Sequence, residues 1–308
     1  MNAPSPAFSM SPSMAPSTAV VVGVDGSRDG VRAVQWAAAD AARRHLPLHL
    51  LHACGAPGRA GPGPGPGSLA AGGPPPEGSP AHLLAEAVVQ ARDIGLELRI
   101  TTESVARRPG AALVAASRRA AEVVVGGRGT GGFAELLTGS TAAQLVTHAA
   151  CPAVVVRPRE GDGPNAGRVV VGVDGSGHAR DAVRFAFEQA AFRRAGLTAL
   201  HAYQVPAAIT ADRYELEGMR DAERRVLSES IAGCRETYPE VDVRTDIAAG
   251  RAAGVLVRAS AGAQLLVVGA RGRGGFAGLR LGSVGRAAIH HAPCPVAVVR
   301  PRPGGSHA

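Results

Sequence analysis

The chain is written twice, and that constrains its fold more than anything else in it. Residues 20–27 read VVVGVDGS and residues 169–176 read VVVGVDGS again, eight identities in eight positions at an offset of 149. LHLLHA, ending at Ala53, answers LTALHA, ending at Ala202, in the same register. Further on, GGRGTGGFAELLTGS (126–140) returns as GARGRGGFAGLRLGS (269–283), and HAACPAVVVRP (148–158) as HAPCPVAVVRP (291–301), both now offset by 143. The offsets differ by 149 − 143 = 6 residues. The excess lies in a Pro/Gly insert at 55–80, whose composition suits neither a helix nor a central strand. Two whole-domain copies are therefore expected, at 19–158 and 167–302, joined by the polar stretch REGDGPNAG. Residues 1–18 read as a disordered lead-in and 303–308 as a tail.

Within each copy, strand and helix patterns alternate. The apolar run 20–24 is short enough for a buried strand, and Asp25-Gly26-Ser27 ends it with turn residues. Val31, Val34, Ala38 and Ala41 then recur at helical spacing up to Arg43-Arg44. Strands are expected at 48–53, 96–102, 122–126 and 153–157, and helices at 81–94, 109–119 and 140–148. The second copy repeats this with a longer second helix near 212–238. Strands alternating with helices imply parallel pairing through right-handed crossovers, and strands that read VVV are buried on both faces. The predicted class is α/β, with open parallel five-stranded sheets in tandem and helices on both faces. Such sheets bind ligands outside the carboxyl ends of their strands, where the strand order reverses. VGVDGS and the glycine-rich block both fall at carboxyl ends, on one rim.

Composition removes several alternatives. All 33 basic residues are Arg, so a Walker P-loop, a Schiff-base lysine and a lysine general base are impossible. The net charge of +8 is scattered, and aromatics make up only 3% of the chain, which argues against nucleic-acid binding through stacking platforms. No apolar run approaches a membrane-spanning length, and the N-terminus has no signal-peptide pattern. The four cysteines show no metal-ligand spacing and read as reduced, buried thiols of a cytoplasmic protein. No Ser/His/Asp triad or paired-carboxylate site is visible, so no catalytic residue is named. His52 and His201 have no partner spaced for a metal.

The glycine block contains a G-x-G-x-x-G in Gly127, Gly129 and Gly132, but a dinucleotide fingerprint belongs after the first strand of a unit, and this one follows the fourth. The second copy also breaks the pattern. The spacing that both copies keep is Gly126-x2-Gly129-x9-Gly139-Ser140 and Gly269-x2-Gly272-x9-Gly282-Ser283. Gly126 and Gly129 are expected to take positive φ and bring bare backbone N–H groups to a ligand. Gly139-Ser140 opens a short helix whose unpaired N–H groups favour an anion. Ser140 either caps that helix or donates its hydroxyl to phosphate.

This constellation, duplicated beside a matching VGVDGS, resembles the ATP-binding branch of the universal stress protein family in tandem form. The resemblance implies a sheet order 3-2-1-4-5 (an adenine-nucleotide alpha-hydrolase-like fold) in each copy, and pairing of the copies through their fifth strands, with homodimers a further possibility. It implies ATP as ligand, with Mg2+ or Mn2+ held through its phosphates and no metal site of the protein's own. The implied set in the first copy is Gly23, Asp25, Ala53, Gly126, Arg128, Gly129, Gly132, Gly139, Ser140 and Thr141. In the second it is Gly172, Asp174, Ala202, Gly269, Arg271, Gly272, Gly275, Gly282, Ser283 and Val284. The aspartates meet the nucleoside, Ala53 and Ala202 the base, and the glycine loops and serines the phosphates. Two alternatives stay open at this point: a slow metal-dependent ATPase, and an interaction scaffold without nucleotide.

Overall fold

In the computed structural model, which describes residues 19–55, 75–94, 97–129, 138–206, 213–273 and 280–301, the apolar runs become strands and the amphipathic segments become the helices between them. The first copy runs β1 (Val20–Val24), α1 (Arg28–Arg43), β2 (Leu48–Ala53), α2 (Pro80–Arg92), β3 (Ile100–Val105), α3 (Pro109–Ala116), β4 (Glu122–Gly126), α4 (Ser140–His148) and β5 (Ala153–Val156). The second runs β6 (Val169–Val173), α5 (Gly177–Arg193), β7 (Leu197–Tyr203), α6 (Arg213–Thr237), β8 (Val243–Ala249), α7 (Ala252–Ala259), β9 (Leu265–Gly269), α8 (Ser283–His291) and β10 (Val296–Val299). The predicted lead-in, the tail and most of the Pro/Gly insert lie outside the described residues. The insert ends sooner than its composition suggests. Pro80 is the first residue of α2, where its missing N–H costs nothing, and the Ser79 side chain caps the helix by accepting from His82 N–H.

The two expected five-stranded sheets join through their fifth strands, as the resemblance implied, and so form one sheet. Its ten strands run β3-β2-β1-β4-β5-β10-β9-β6-β7-β8, so each copy keeps the order 3-2-1-4-5. All pairings are parallel except β5 with β10, which meet antiparallel with Val154 opposite Ala297. Alternate strand residues serve opposite faces. Val20, Val22 and Val24 pack under α1 and α2 with Ala33, Val34 and Leu84, whereas Val21 and Val125 pack on the other face with Leu113 of α3 and Leu145 of α4. Phe187, Leu227 and Ile231 fill the first face in the second copy, and Leu256 and Ile289 the second.

A charged cluster ties α1 to α5 across the seam. Asp40 and Glu122 are fully buried, and Arg44 Nη1 reaches both, at 3.2 and 2.9 Å. Arg193 Nη2 of the other copy lies 2.7 Å from Asp40 Oδ1, but the two are not aligned as a hydrogen bond, so they form an ion pair by proximity. Burial alone would raise Asp40, but the charges of Arg193 and Arg44 outweigh it and hold its carboxyl below the usual range. Glu122 is pushed well above its usual range by burial and by the charge of Asp40 beside it. The two acids are thus pushed apart, Asp40 toward its charged form and Glu122 toward its neutral one, between the Arg44 and Arg193 guanidinium groups.

Candidate functional site

Asp25 and Asp174 each end the first strand of their copy and open a turn. Gly26 and Gly175 have φ of +74°, a conformation that L side chains rarely adopt, and this explains glycine there. One carboxylate oxygen makes the turn. Asp25 Oδ1 accepts from Ser27 N–H at 3.0 Å and Ser27 Oγ–H at 2.7 Å, and Asp174 Oδ1 accepts from the corresponding groups of Ser176 at 2.9 and 2.7 Å. The other oxygen faces the glycine loop. Asp174 Oδ2 accepts from Arg273 N–H at 2.9 Å. Turn-making and facing the loop are therefore both roles of the same side chain.

The loop glycines are required for a different reason from the one expected. Gly126, Gly129, Gly269 and Gly272 do not have positive φ. At Gly126, Gly129 and Gly272 what excludes a side chain is close approach. A Cβ on Gly129 would lie 2.7 Å from Asp25 Oδ2, one on Gly272 would press on Asp174 Oδ2 still more closely, and one on Gly126 would meet the Asp29 backbone at 2.6 Å. The loop is fastened at its base. Gly127 N–H donates to Val156 O at 2.9 Å, Gly139 N–H to Gly127 O at 2.9 Å, and Arg128 N–H to Asp29 Oδ2 at 3.1 Å. Gly282 N–H donates to Ala270 O at 2.8 Å in the second copy.

Ser140 and Ser283 are not caps. The N-cap positions belong to Gly139 and Gly282, neither helix has a side-chain cap bond, and both serines are exposed at the first helical position. The amides of that first turn have no intrahelical acceptor, and they keep the positive end of the helix dipole at the rim.

In the second copy every expected residue within the described range, from Gly172 to Val284, lines one cavity of about 980 Å³. Gly275 and, in the first copy, Gly132 lie outside the described residues. The first-copy members Asp25, Arg128, Gly129 and Gly139 converge on the loop as described. Gly23 sits on β1 against Leu113, Ala53 ends β2 opposite Val105, and Ser140 and Thr141 form the first turn of α4. The cavity has the size of a small-molecule site. Its lining combines the amides at the start of α8, glycine backbone and Arg271 with the apolar Leu256, Val268 and Ala202. That donor set suits an anionic group such as a polyphosphate, and the apolar residues suit a flat apolar one. Among the described residues no group of three or more His, Cys, Asp or Glu is placed to hold a metal.

Sequence reasoning missed part of the wall. His201 donates through Nδ1–H to Val173 O at 2.6 Å, its Nε2 pairs with Glu223 Oε2 at 2.8 Å, and His201 and Glu223 both line the cavity. Their available signal was the repeated position, since His52 likewise bonds Val24 O at 2.8 Å. The thiols divide. Cys294 is buried, and burial pushes it up to about 12, but Cys54 is exposed and Cys151 and Cys234 are half-buried, so the expectation of four buried thiols is corrected. No helix among the described residues is long and apolar enough to cross a membrane.

The sequence matches the family described as "Universal stress protein family" over residues 17–157 and again over 165–300. A universal stress protein of Mycobacterium tuberculosis is 36% identical over 295 residues, covering 91% of this chain and 96% of its own. One of Mycolicibacterium smegmatis is 35% identical over 294 residues, covering 92% and 97%. The crystal structure of a universal stress protein from Archaeoglobus fulgidus superposes with a TM-score of 0.62 at 19% identity, covering 92% of this chain and 97% of that one. At that identity the likeness is one of fold.

Proposed function

Since the chain belongs to the universal stress protein family, as two tandem copies of its domain, we propose that each half binds ATP and that the protein acts in the stress response through its nucleotide-bound state. The observation that carries this reading is the convergence of the second-copy set on one cavity at the strand ends, with the same motif repeated in the first copy. In it, Gly269, Gly272, Gly282 and Ser283 hold the phosphates with Arg271, Asp174 meets the ribose, and Ala202 meets the base. Gly126, Gly129, Gly139, Ser140, Arg128, Asp25 and Ala53 do the same in the first half, with Mg2+ or Mn2+ carried on the phosphates. With no lysine, charge neutralisation rests on amides, dipoles and arginines. The expected affinity is micromolar, about −8 kcal/mol. The protein is cytoplasmic in this reading, where ATP is supplied and exposed Cys54 stays reduced.

The reading is of binding rather than turnover. The acidic groups at the second rim are engaged, Asp174 by Ser176 and Arg273 and Glu223 by His201, which leaves neither poised as a general base. A ligand changes the protein's state only through differential affinity for two states, and that is how a signal would be read out. Heat-denaturing freshly purified protein and assaying the supernatant for adenine nucleotide tests the reading. ATP in the supernatant, or saturable uptake of added ATP by stripped protein, is expected. An empty supernatant together with no uptake at millimolar ATP contradicts it.

A further inference from the structure

Each strand at the seam ends in an arginine that crosses to the other half. Arg157 follows β5, and its Nη1 donates to Ile289 O at 2.7 Å and His290 O at 2.8 Å. These are among the last carbonyls of α8, which have no partner within the helix. Thr138, the residue before the N-cap of α4, donates its hydroxyl to the same Ile289 O at 2.9 Å. The exchange is reciprocal. Arg300 follows β10 and donates through Nη2 to Val146 O at 2.9 Å, to Thr147 O, and to Arg280 O at 3.0 Å. The negative end of each cradle helix is thus capped by a cation from the opposite half.

Arg157 also approaches the glycine loop of its own half, and Arg300 bonds Arg280 O close to the end of its own. A Cβ on Gly127 would lie 3.3 Å from Arg157 Cγ. Burial disfavours the charge on Arg157, and the neighbouring Arg128 guanidinium disfavours it further. Burial acts likewise on Arg300, with Arg271 and Arg280 adding to it. A phosphate held against Arg128 or Arg271 relieves that repulsion. A contiguous path results: loop of the first half, Arg157, carboxyl end of α8, and through a nine-residue rod of about 13 Å to the Gly282–Ser283 end at the second cavity.

We propose that Arg157 and Arg300 are positioning residues that couple the two nucleotide sites across the β5–β10 seam, so that an anionic nucleotide held in one half tightens the site in the other. The proposal rests on the nucleotide reading above. It goes beyond that reading in making the two sites interdependent, with the arginines as the link.

Two measurements on the full chain test it. In Gly272→Val, which keeps only the first site, ATP should slow amide hydrogen exchange across the seam over Ser283–His291; in Gly129→Val it should slow exchange over Ser140–His148. In calorimetric titration, the wild type should take up its second ATP about fivefold more tightly than Gly129→Val takes up its only one. The Arg157→Ala/Arg300→Ala chain should bind two ATP independently, at unchanged far-ultraviolet circular dichroism. Unchanged exchange across the seam in a single-site chain that has bound ATP overturns the coupling, as does wild-type steepness in the folded double arginine variant. The exchange measurement keeps both arginines, so it decides the matter even if the double variant does not fold. Absence of ATP uptake by the wild type overturns the nucleotide reading and the coupling together.

Discussion

The rim of the two halves has been kept, and the seam has been allowed to differ. Asp25 and Asp174 make the same turn with the same serine bonds, and Gly129 and Gly272 approach them in the same way. At the seam, the position of Asp40 is held in the second copy by Gln189, and that of Glu122 by Leu265, while Arg44 and Arg193 correspond. One half thus supplies the acids and both supply an arginine. Were two second copies paired in the same way, two buried guanidinium groups would face no carboxylate. The cluster therefore favours pairing of unlike halves over like ones, and charge complementarity selects the partner by penalising the alternative. The lesson is that a duplicated rim keeps one local geometry, whereas a diverged seam specifies which halves pair.

The comparison breaks most readily at the cluster. Asp40→Ala should cost about 3 kcal/mol in urea denaturation, the low end for a broken buried pair, because Glu122 beside it can ionise in its place. Gln189→Ala, its counterpart, should cost about 1–2 kcal/mol, the loss of an acceptor for Arg193. Equal costs would mean that the acid is not what joins the halves.

At the rim the two halves should respond alike. Gly129→Val and Gly272→Val should each abolish one of two ATP sites, weakening it by about 100-fold, or about 2.7 kcal/mol, because a side chain there must displace an aspartate. Stoichiometry read by calorimetry with each variant checks this; two intact sites in either variant would refute the loop assignment.

Next in size is a pH effect confined to the first half. Glu122 is raised in the folded protein, so below the usual glutamate pKa both states are protonated and it costs nothing. As pH rises above that value the unfolded chain loses the proton while the folded one keeps it, and stability falls, by at most about 1.4 kcal/mol per pH unit. Asp40 runs the other way. Its lowered pKa stabilises the fold above the usual aspartate value, and that contribution is lost as pH falls through the lowered one. Glu122→Gln should therefore raise stability above the usual glutamate pKa and flatten the decline that sets in there, as read by thermal melts. A wild-type slope in the variant would assign the proton elsewhere.

The smallest effect separates the two turns. Ser27 Oγ accepts from Gly30 N–H at 3.0 Å and so caps α1, whereas Ser176 makes no side-chain cap bond to α5. Ser27→Ala should cost about 1 kcal/mol by chemical denaturation, and Ser176→Ala measurably less.

Much of this was legible because the same physics was written twice. β4 and α4 fall on their expected bounds, since VVV and the glycine-serine start are sharp signals. β3 was expected at 96–102 and forms at Ile100–Val105. It is an edge strand paired only with β2, and the exposed Thr102, Glu103 and Ser104 give it no apolar run to read. Buried charges were illegible for a related reason. Asp40 and Arg44 sit four apart on a helix and look like a surface pair, and only the packing of α1 against α5 puts them inside. The rim residues were legible as a set, but not the reason for the glycines, because close approach is a property of two segments and a spacing belongs to one.

Isothermal titration of the full wild-type chain with ATP and Mg2+ tests the central claim most directly. Two ATP per chain, at micromolar affinity, is the result predicted. A folded protein that takes up none would contradict it.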